Sequence, residues 1–179
     1  PTHVNSVFEL TSNRWYDAGD QRFRPGNVLV SARNLNAIFI VERSTGEIVW
    51  RHEDGLDFQH EAQMVPRGVV GDGLIVVFNN GYHNLNAYRR SEIRAIHPID
   101  GSLVWSYSAP TFFTTVAGVQ QVLPNGNLLV TSSEGGRWKA KVQAAHLRRL
   151  RPGLPVTCIC RPLEAVPYGL LRADLILGA

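Results

Sequence analysis

Cysteine is almost missing from this sequence: among 179 residues only Cys158 and Cys160 carry a thiol. Two residues apart on an extended chain, they lie roughly 6–7 Å from each other. That spacing suits no disulfide between them, and two ligands do not make a zinc site. The first 136 residues contain no cysteine, so they carry no sign of a redox compartment. Long apolar runs are missing as well. Nothing approaches the roughly 18 residues that a helical membrane span needs, and no EF-hand spacing, P-loop or His-Glu-x-x-His occurs. No cofactor or metal is therefore expected. The chain opens on Pro1 with neither an initiator Met nor a charged-then-apolar leader. Either a signal segment has been removed, or the chain is a piece of a longer protein.

The composition, 44% hydrophobic against 18% charged, is that of a globular protein long enough for one domain with a sizeable core. The net charge of +3 hides an asymmetry. Residues 1–136 hold 10 Lys/Arg and 13 Asp/Glu, whereas residues 137–179 hold 8 and 2. The basic excess belongs to the tail, so no polyanion-binding surface is indicated for the body and no nucleic-acid partner is expected.

Residues 3–10, from His3 to Leu10, alternate in character and read as a strand whose odd positions, His3, Asn5 and Val7, share a face. A polar and aromatic loop follows from Ser12 to Gly26. Strands are then predicted over 27–33 and 37–42, a hairpin turn at Ser44-Thr45-Gly46-Glu47, and a strand at Ile48-Val49-Trp50-Arg51. The order repeats: a strand over 59–65, a Gly-rich turn over 67–73, strands over 74–78 and 92–96, a turn at Pro98-Ile99-Asp100-Gly101, and Ser102-Leu103-Val104-Trp105. Gly46 to Gly101 and Trp50 to Trp105 are the same distance in sequence, an internal repeat. A third copy begins over 116–122, turns at Pro124-Asn125-Gly126 and rises over 127–133.

Four short strands per unit at a period of about 40–55 residues is the pattern of β-propeller blades. The predicted fold is all-β: a partial β-propeller of two blades and part of a third, over residues 1–136, followed by an irregular tail over 137–179. A propeller ring closes with about four or more blades, so the chain reads as a fragment. Composition, charge and period all change near Arg137. Two origins stay open for the tail, a frame shift or joined sequence and a genuine basic extension.

His3-Val4-Asn5-Ser6, a strand closing on Ser31-Ala32-Arg33, Thr45-Gly46-Glu47-Ile48-Val49-Trp50, and Gln59-His60, in that order, resemble the bacterial arylsulfotransferases, over roughly residues 2–137. Gly-Glu-Ile-Val-Trp alone is shared with many quinoprotein-like propellers. The ordered His-Val-Asn-Ser, strand-end Arg and Gln-His are more specific. The resemblance implies a six-bladed ring whose central channel moves a sulfuryl group from a phenolic sulfate ester to a phenol through a sulfohistidine. It also implies a periplasmic or secreted location, and leaves homo-oligomerisation of an intact protein open. Carried over by position, the nucleophile matches His60, the channel residues His3 and Asn5, and the sulfate-binding arginine Arg33. A channel threonine matches none of Thr114, Thr115 and Thr131 uniquely.

The residue types suit that chemistry. A sulfuryl group in transfer carries negative charge on its non-bridging oxygens. The planar, permanently charged fork of Arg33 can take two of them. A neutral imidazole at His60 is a competent nucleophile near neutral pH once its other nitrogen is held. His3 could protonate the departing phenolate, and Asn5 could donate to a sulfate oxygen. Aligned by repeat, Asn5, His60 and Gly118 fall at comparable positions of the first strands, which in a propeller line the channel.

His52, His83 and His97 are expected in solvated loops, and Arg51, Arg89, Arg90 and Arg94 at the surface. Trp50 and Trp105 are expected as packing between blades. Asn79-Asn80-Gly81 and Asn84-Leu85-Asn86 read as left-handed turns. A non-catalytic propeller that binds ligands or protein partners is the alternative function. A pyrroloquinoline-quinone dehydrogenase lacks support, because nothing supplies a cofactor-stacking or calcium-binding set.

Overall fold

The computed structural model describes residues 2–83, 90–109, 112–115 and 117–132. The described residues belong to one compact unit, Pro1–Ser132. The tail over 137–179, with Cys158 and Cys160, and the Asn84–Asn86 turn with Arg89 lie outside the described residues.

This unit is all-β. β1 (Val4–Glu9), β2 (Val28–Ala32), β3 (Ala37–Val41) and β4 (Ile48–His52) make one antiparallel sheet in chain order. β5 (His60–Met64), β6 (Ile75–Asn79), β7 (Glu92–Ile96) and β8 (Leu103–Tyr107) make a second in the same order, and β9 (Gly118–Val122) pairs with β10 (Leu128–Ser132). Two four-stranded meanders and the opening pair of a third constitute a partial β-propeller. β2 and β6 open on apolar runs, Val28–Val30 and Ile75–Phe78, and β6 is buried along its whole length, as suits a strand covered on both faces. The hairpins closing β3 to β4 and β7 to β8 share one hydrogen-bond pattern. Gly46 and Gly101, at φ 78° and 74°, each donate to the residue four back, a conformation in which a Cβ is costly.

Burial concentrates between the repeats. Leu29, Ile38, Ile40 and Trp50 of the first sheet pack with Ala62, Met64, Ile75, Val77 and Ile96 of the second. Trp50 Nε1 donates to Pro98 O at 2.7 Å in the second sheet's hairpin turn, as predicted for a tryptophan between blades. Trp105, its equivalent, is 37% exposed along with the rest of β8. No further repeat covers that face among the described residues, so the packing expected of Trp105 is not seen there.

Several local expectations change. Residues 12–26 are not a plain loop: they hold a helical turn, α1 (Arg14–Asp17), and a 3-10 turn over Gln21–Phe23. Asn13 caps α1 by accepting from Tyr16 N at 3.0 Å. The insertion bridges the repeats, because Phe23 is fully buried in the shared core and Trp15 Nε1 donates to Gly73 O at 2.7 Å. His52 is buried, stacked against Trp50, with Nε2 3.1 Å from Asp54 O. Arg94 is folded over Gly55 O and beside Glu92, not held out in solvent. His97 is half-buried against Trp15 and Asp100, and His83, though exposed, is held by Asp57.

Candidate functional site

The first strands of the three repeats approach one another: β1 lies beside β5, and β5 beside β9. Polar side chains stitch them together. Asn5 Nδ2 donates to Gln59 O at 2.8 Å, Ala62 N to Ser6 Oγ at 3.0 Å, and Gln63 Nε2 to Gln120 O. A β-bulge interrupts both β1, at Asn5, and β5, at Glu61. A bulge adds one residue to a strand and re-aims its side chains. The strict alternation expected for β1 therefore breaks. Asn5 and Ser6 both turn toward β5, while Val7 is exposed.

His60 opens β5 and is 8% exposed. Its Nδ1 lies 2.6 Å from Asn80 Oδ1 and 3.1 Å from Phe58 O. Burial is the main influence on its titration and holds its pKa below the usual histidine range. The hydrogen bonds to Asn80 and Phe58 oppose that shift, and the nearby charges of Arg33 and His3 add to it. Both charges therefore bear on the imidazole.

Arg33 follows β2. Its guanidinium lies 3.9 Å above the Phe58 ring centre, Nη2 reaches Thr115 O at 3.4 Å, and Nη1 reaches Asn34 Oδ1 at 3.2 Å. Its Nε is buried without a partner among the described residues. Tyr82 also stacks on Phe58, with ring centroids 5.0 Å apart and planes 22° from parallel. Phe58 thus works as a spacer that holds the cation rather than as a free aromatic platform. No carboxylate pairs with Arg33 among its described contacts, and its positive charge acts on the buried His60 imidazole.

His3 is exposed, in left-handed backbone at φ 50°, and its carbonyl accepts from Arg33 N at 3.0 Å. Asn5 has one amide hydrogen committed to Gln59 O, and its Oδ1 is buried without a partner. Of the threonines, Thr114 and Thr115 border the cluster through their carbonyls, toward Asn80 and Arg33 respectively, whereas Thr131 lies on β10. At Gly118 the equivalent position of the third repeat carries no side chain at all. A Cβ there would run into the Phe78 ring.

Four non-glycine residues among those described have positive φ: His3, Asn36, Phe58 and Glu61. All belong to this neighbourhood, since Asn36 Oδ1 accepts from Phe58 N at 2.9 Å. Such backbone costs on the order of 1–3 kcal/mol per residue and persists where the surroundings over-determine it. Glu61 is half-buried, and burial pushes its carboxyl pKa up.

Sequence reasoning missed Asn80. Neither Asn79 nor Asn80 is left-handed. Asn79 ends β6 and braces the loop before His60, accepting from Asp57 N at 2.7 Å and donating to Gly55 O at 3.1 Å. Asn80 is fully buried. One signal pointed to it: Asn80 follows β6 as Arg33 follows β2, the same place in the repeat. Among the described residues no cluster of three or more His, Cys, Asp or Glu could hold a metal. No helix there is long and apolar enough to cross a membrane.

The family model for arylsulfotransferase (ASST) matches residues 1–145. No curated protein and no solved structure matches the chain significantly.

Proposed function

The chain belongs to the arylsulfotransferase family, and from that premise we propose that it transfers a sulfuryl group from a phenolic sulfate ester to a phenolic acceptor, with His60 as the covalent carrier. The observation that carries this reading is a buried imidazole, kept neutral by its surroundings, beside an arginine with no carboxylate partner in its described contacts.

A lone pair of the His60 ring attacks sulfur. The N–S bond forms as the S–O bond to the aryl group breaks, and the phenolate leaves with the electron pair. His3 supplies the proton that makes it a phenol. In the second half the acceptor phenol oxygen attacks sulfur and loses its proton to His3, and the N–S bond breaks to restore His60. No external oxidant, reductant or metal takes part. Arg33 faces the three sulfuryl oxygens, where negative charge gathers, and its rigid fork can hold two at once. Asn5 keeps one amide hydrogen free of Gln59 O for a third contact. A periplasmic or secreted setting fits the family reading.

His60→Ala tests it. Transfer from a chromogenic aryl sulfate to phenol should vanish while the far-UV circular dichroism and unfolding midpoint stay near wild type. Undiminished turnover would favour a non-catalytic propeller whose polar strands bind ligands.

A further inference from the structure

We infer that Asn80 is a positioning residue that fixes the His60 tautomer with the proton on Nδ1, so that Nε2 is the atom that accepts the sulfuryl group. The geometry permits one assignment. Asn80 Nδ2 lies 2.9 Å from Thr114 O and 3.4 Å from Ala117 O. Carbonyl oxygens only accept, so the amide nitrogen must face them and Oδ1 must face the imidazole. His60 Nδ1 then meets two acceptors, Asn80 Oδ1 at 2.6 Å and Phe58 O at 3.1 Å. Neither can donate, so Nδ1 carries the hydrogen. In the neutral ring the lone pair is left on Nε2.

The amide is itself held. Ser91, fully buried, donates from Oγ to Asn80 O at 3.0 Å and accepts from Thr114 N at 2.9 Å. Gly81 N donates to Asp57 O at 3.1 Å, tying the end of β6 to the loop that precedes His60. Asn80 therefore has its backbone carbonyl, its side-chain nitrogen and its side-chain oxygen engaged. A buried amide with every group satisfied has one orientation, and it imposes that orientation on its partner. The repeat gives a further reading: the position after the second strand supplies the anion-facing cation in one blade, Arg33, and the imidazole-facing amide in the next.

The assignment deepens the sulfotransferase reading and rests on it for the word sulfuryl, while the tautomer itself is measurable without turnover. Nitrogen-15 NMR of the full chain labelled in histidine should show His60 protonated at Nδ1 and bare at Nε2. Asn80→Leu removes the acceptor at similar volume and leaves only the longer contact to Phe58 O. The Nε2–H form should then appear, and kcat should fall about ten- to a hundredfold, the range known for losing the orienting partner of a metal-bound imidazole, with KM little changed. Asn80→Asp keeps an acceptor oxygen at Nδ1 and should retain the wild-type tautomer.

A wild-type His60 protonated at Nε2 overturns the assignment, whether or not any variant folds. An Asn80→Leu chain that keeps both the Nδ1–H form and wild-type kcat overturns it as well. Failure of the sulfotransferase reading shows differently, as Nδ1–H in the spectrum with turnover unaffected by His60→Ala.

Discussion

At the residue scale, the electrostatics around His60 predict a pH profile. Burial, Arg33 and His3 all disfavour imidazolium. The ring therefore stays neutral to a lower pH than a free histidine, whose pKa is about 6.5. If neutral His60 is the nucleophile, the acid limb of kcat/KM should lie below that value, as the ring takes up its proton. Arg33→Gln removes one of the repelling charges, so the acid limb of kcat/KM against pH should move upward. An acid limb that stays put in Arg33→Gln contradicts the influence assigned to that guanidinium.

Arg33→Lys keeps the charge but loses the fork and the flat stack on Phe58. Steady-state kinetics should show kcat/KM reduced roughly a hundred- to a thousandfold, the cost of removing one donor aimed at developing negative charge. The same depressed pKa values bear on stability. His52 and His60 both titrate lower in the fold than an exposed histidine. Through these two rings the unfolded chain binds more protons than the folded one below about 6.5, so their contribution to stability should fall as pH drops through that window, while Glu61, with its raised pKa, works in the opposite direction. Denaturant midpoints measured across pH should show that slope, and His60→Asn should remove its share.

At the element scale, the strands were legible because each is a short apolar or alternating block bounded by Gly, Pro or Asn. Most ends predicted from sequence fall within one or two residues of those observed. The bulges at Asn5 and Glu61 were not legible. Nothing in His-Val-Asn-Ser or Gln-His-Glu-Ala marks an extra residue, since a bulge is fixed by what the neighbouring strand allows. Asn80 was hidden for a related reason. Asn-Asn-Gly is a good turn sequence, and only tertiary packing against Thr114 and Ala117 makes it a buried clamp. His52 and Arg94 misled in the same way, because burial by a neighbouring repeat leaves no local trace.

Trp50 and Trp105 separate repeat identity from repeat environment. Both end a Gly-x-x-Val-Trp stretch, yet one is sealed between sheets with its indole nitrogen on Pro98 O, and the other is part-exposed. Trp50→Ala should destabilise by about 3–5 kcal/mol, as for a buried large-to-small change. Trp105→Ala should cost less than about 1 kcal/mol, as at a surface. Chemical denaturation of the two variants checks this. Equal losses would mean that the β8 face is covered to the same degree.

At the scale of the whole molecule, no one repeat holds the proposed site. His3, Asn5 and Arg33 come from the first, His60 and Asn80 from the second, and Thr114 and Thr115 from the connection into the third. The sequence supplied the order of these residues and the family that the order resembles, and the match over residues 1–145 places the chain in that family. It could not supply their convergence, which depends on β1, β5 and β9 lying side by side. It also left the threonine unassigned, because Thr114 and Thr115 meet the cluster through backbone carbonyls that any residue could provide.

The central claim is that His60 carries the sulfuryl group. Mixing the chain with an aryl sulfate in the absence of acceptor, quenching in alkali and mapping the peptides by mass spectrometry tests it most directly. A sulfuryl adduct on the peptide containing His60, missing in His60→Ala and discharged by added phenol, is the predicted result. An adduct on another residue, or phenol-dependent turnover with His60 never modified, would contradict it.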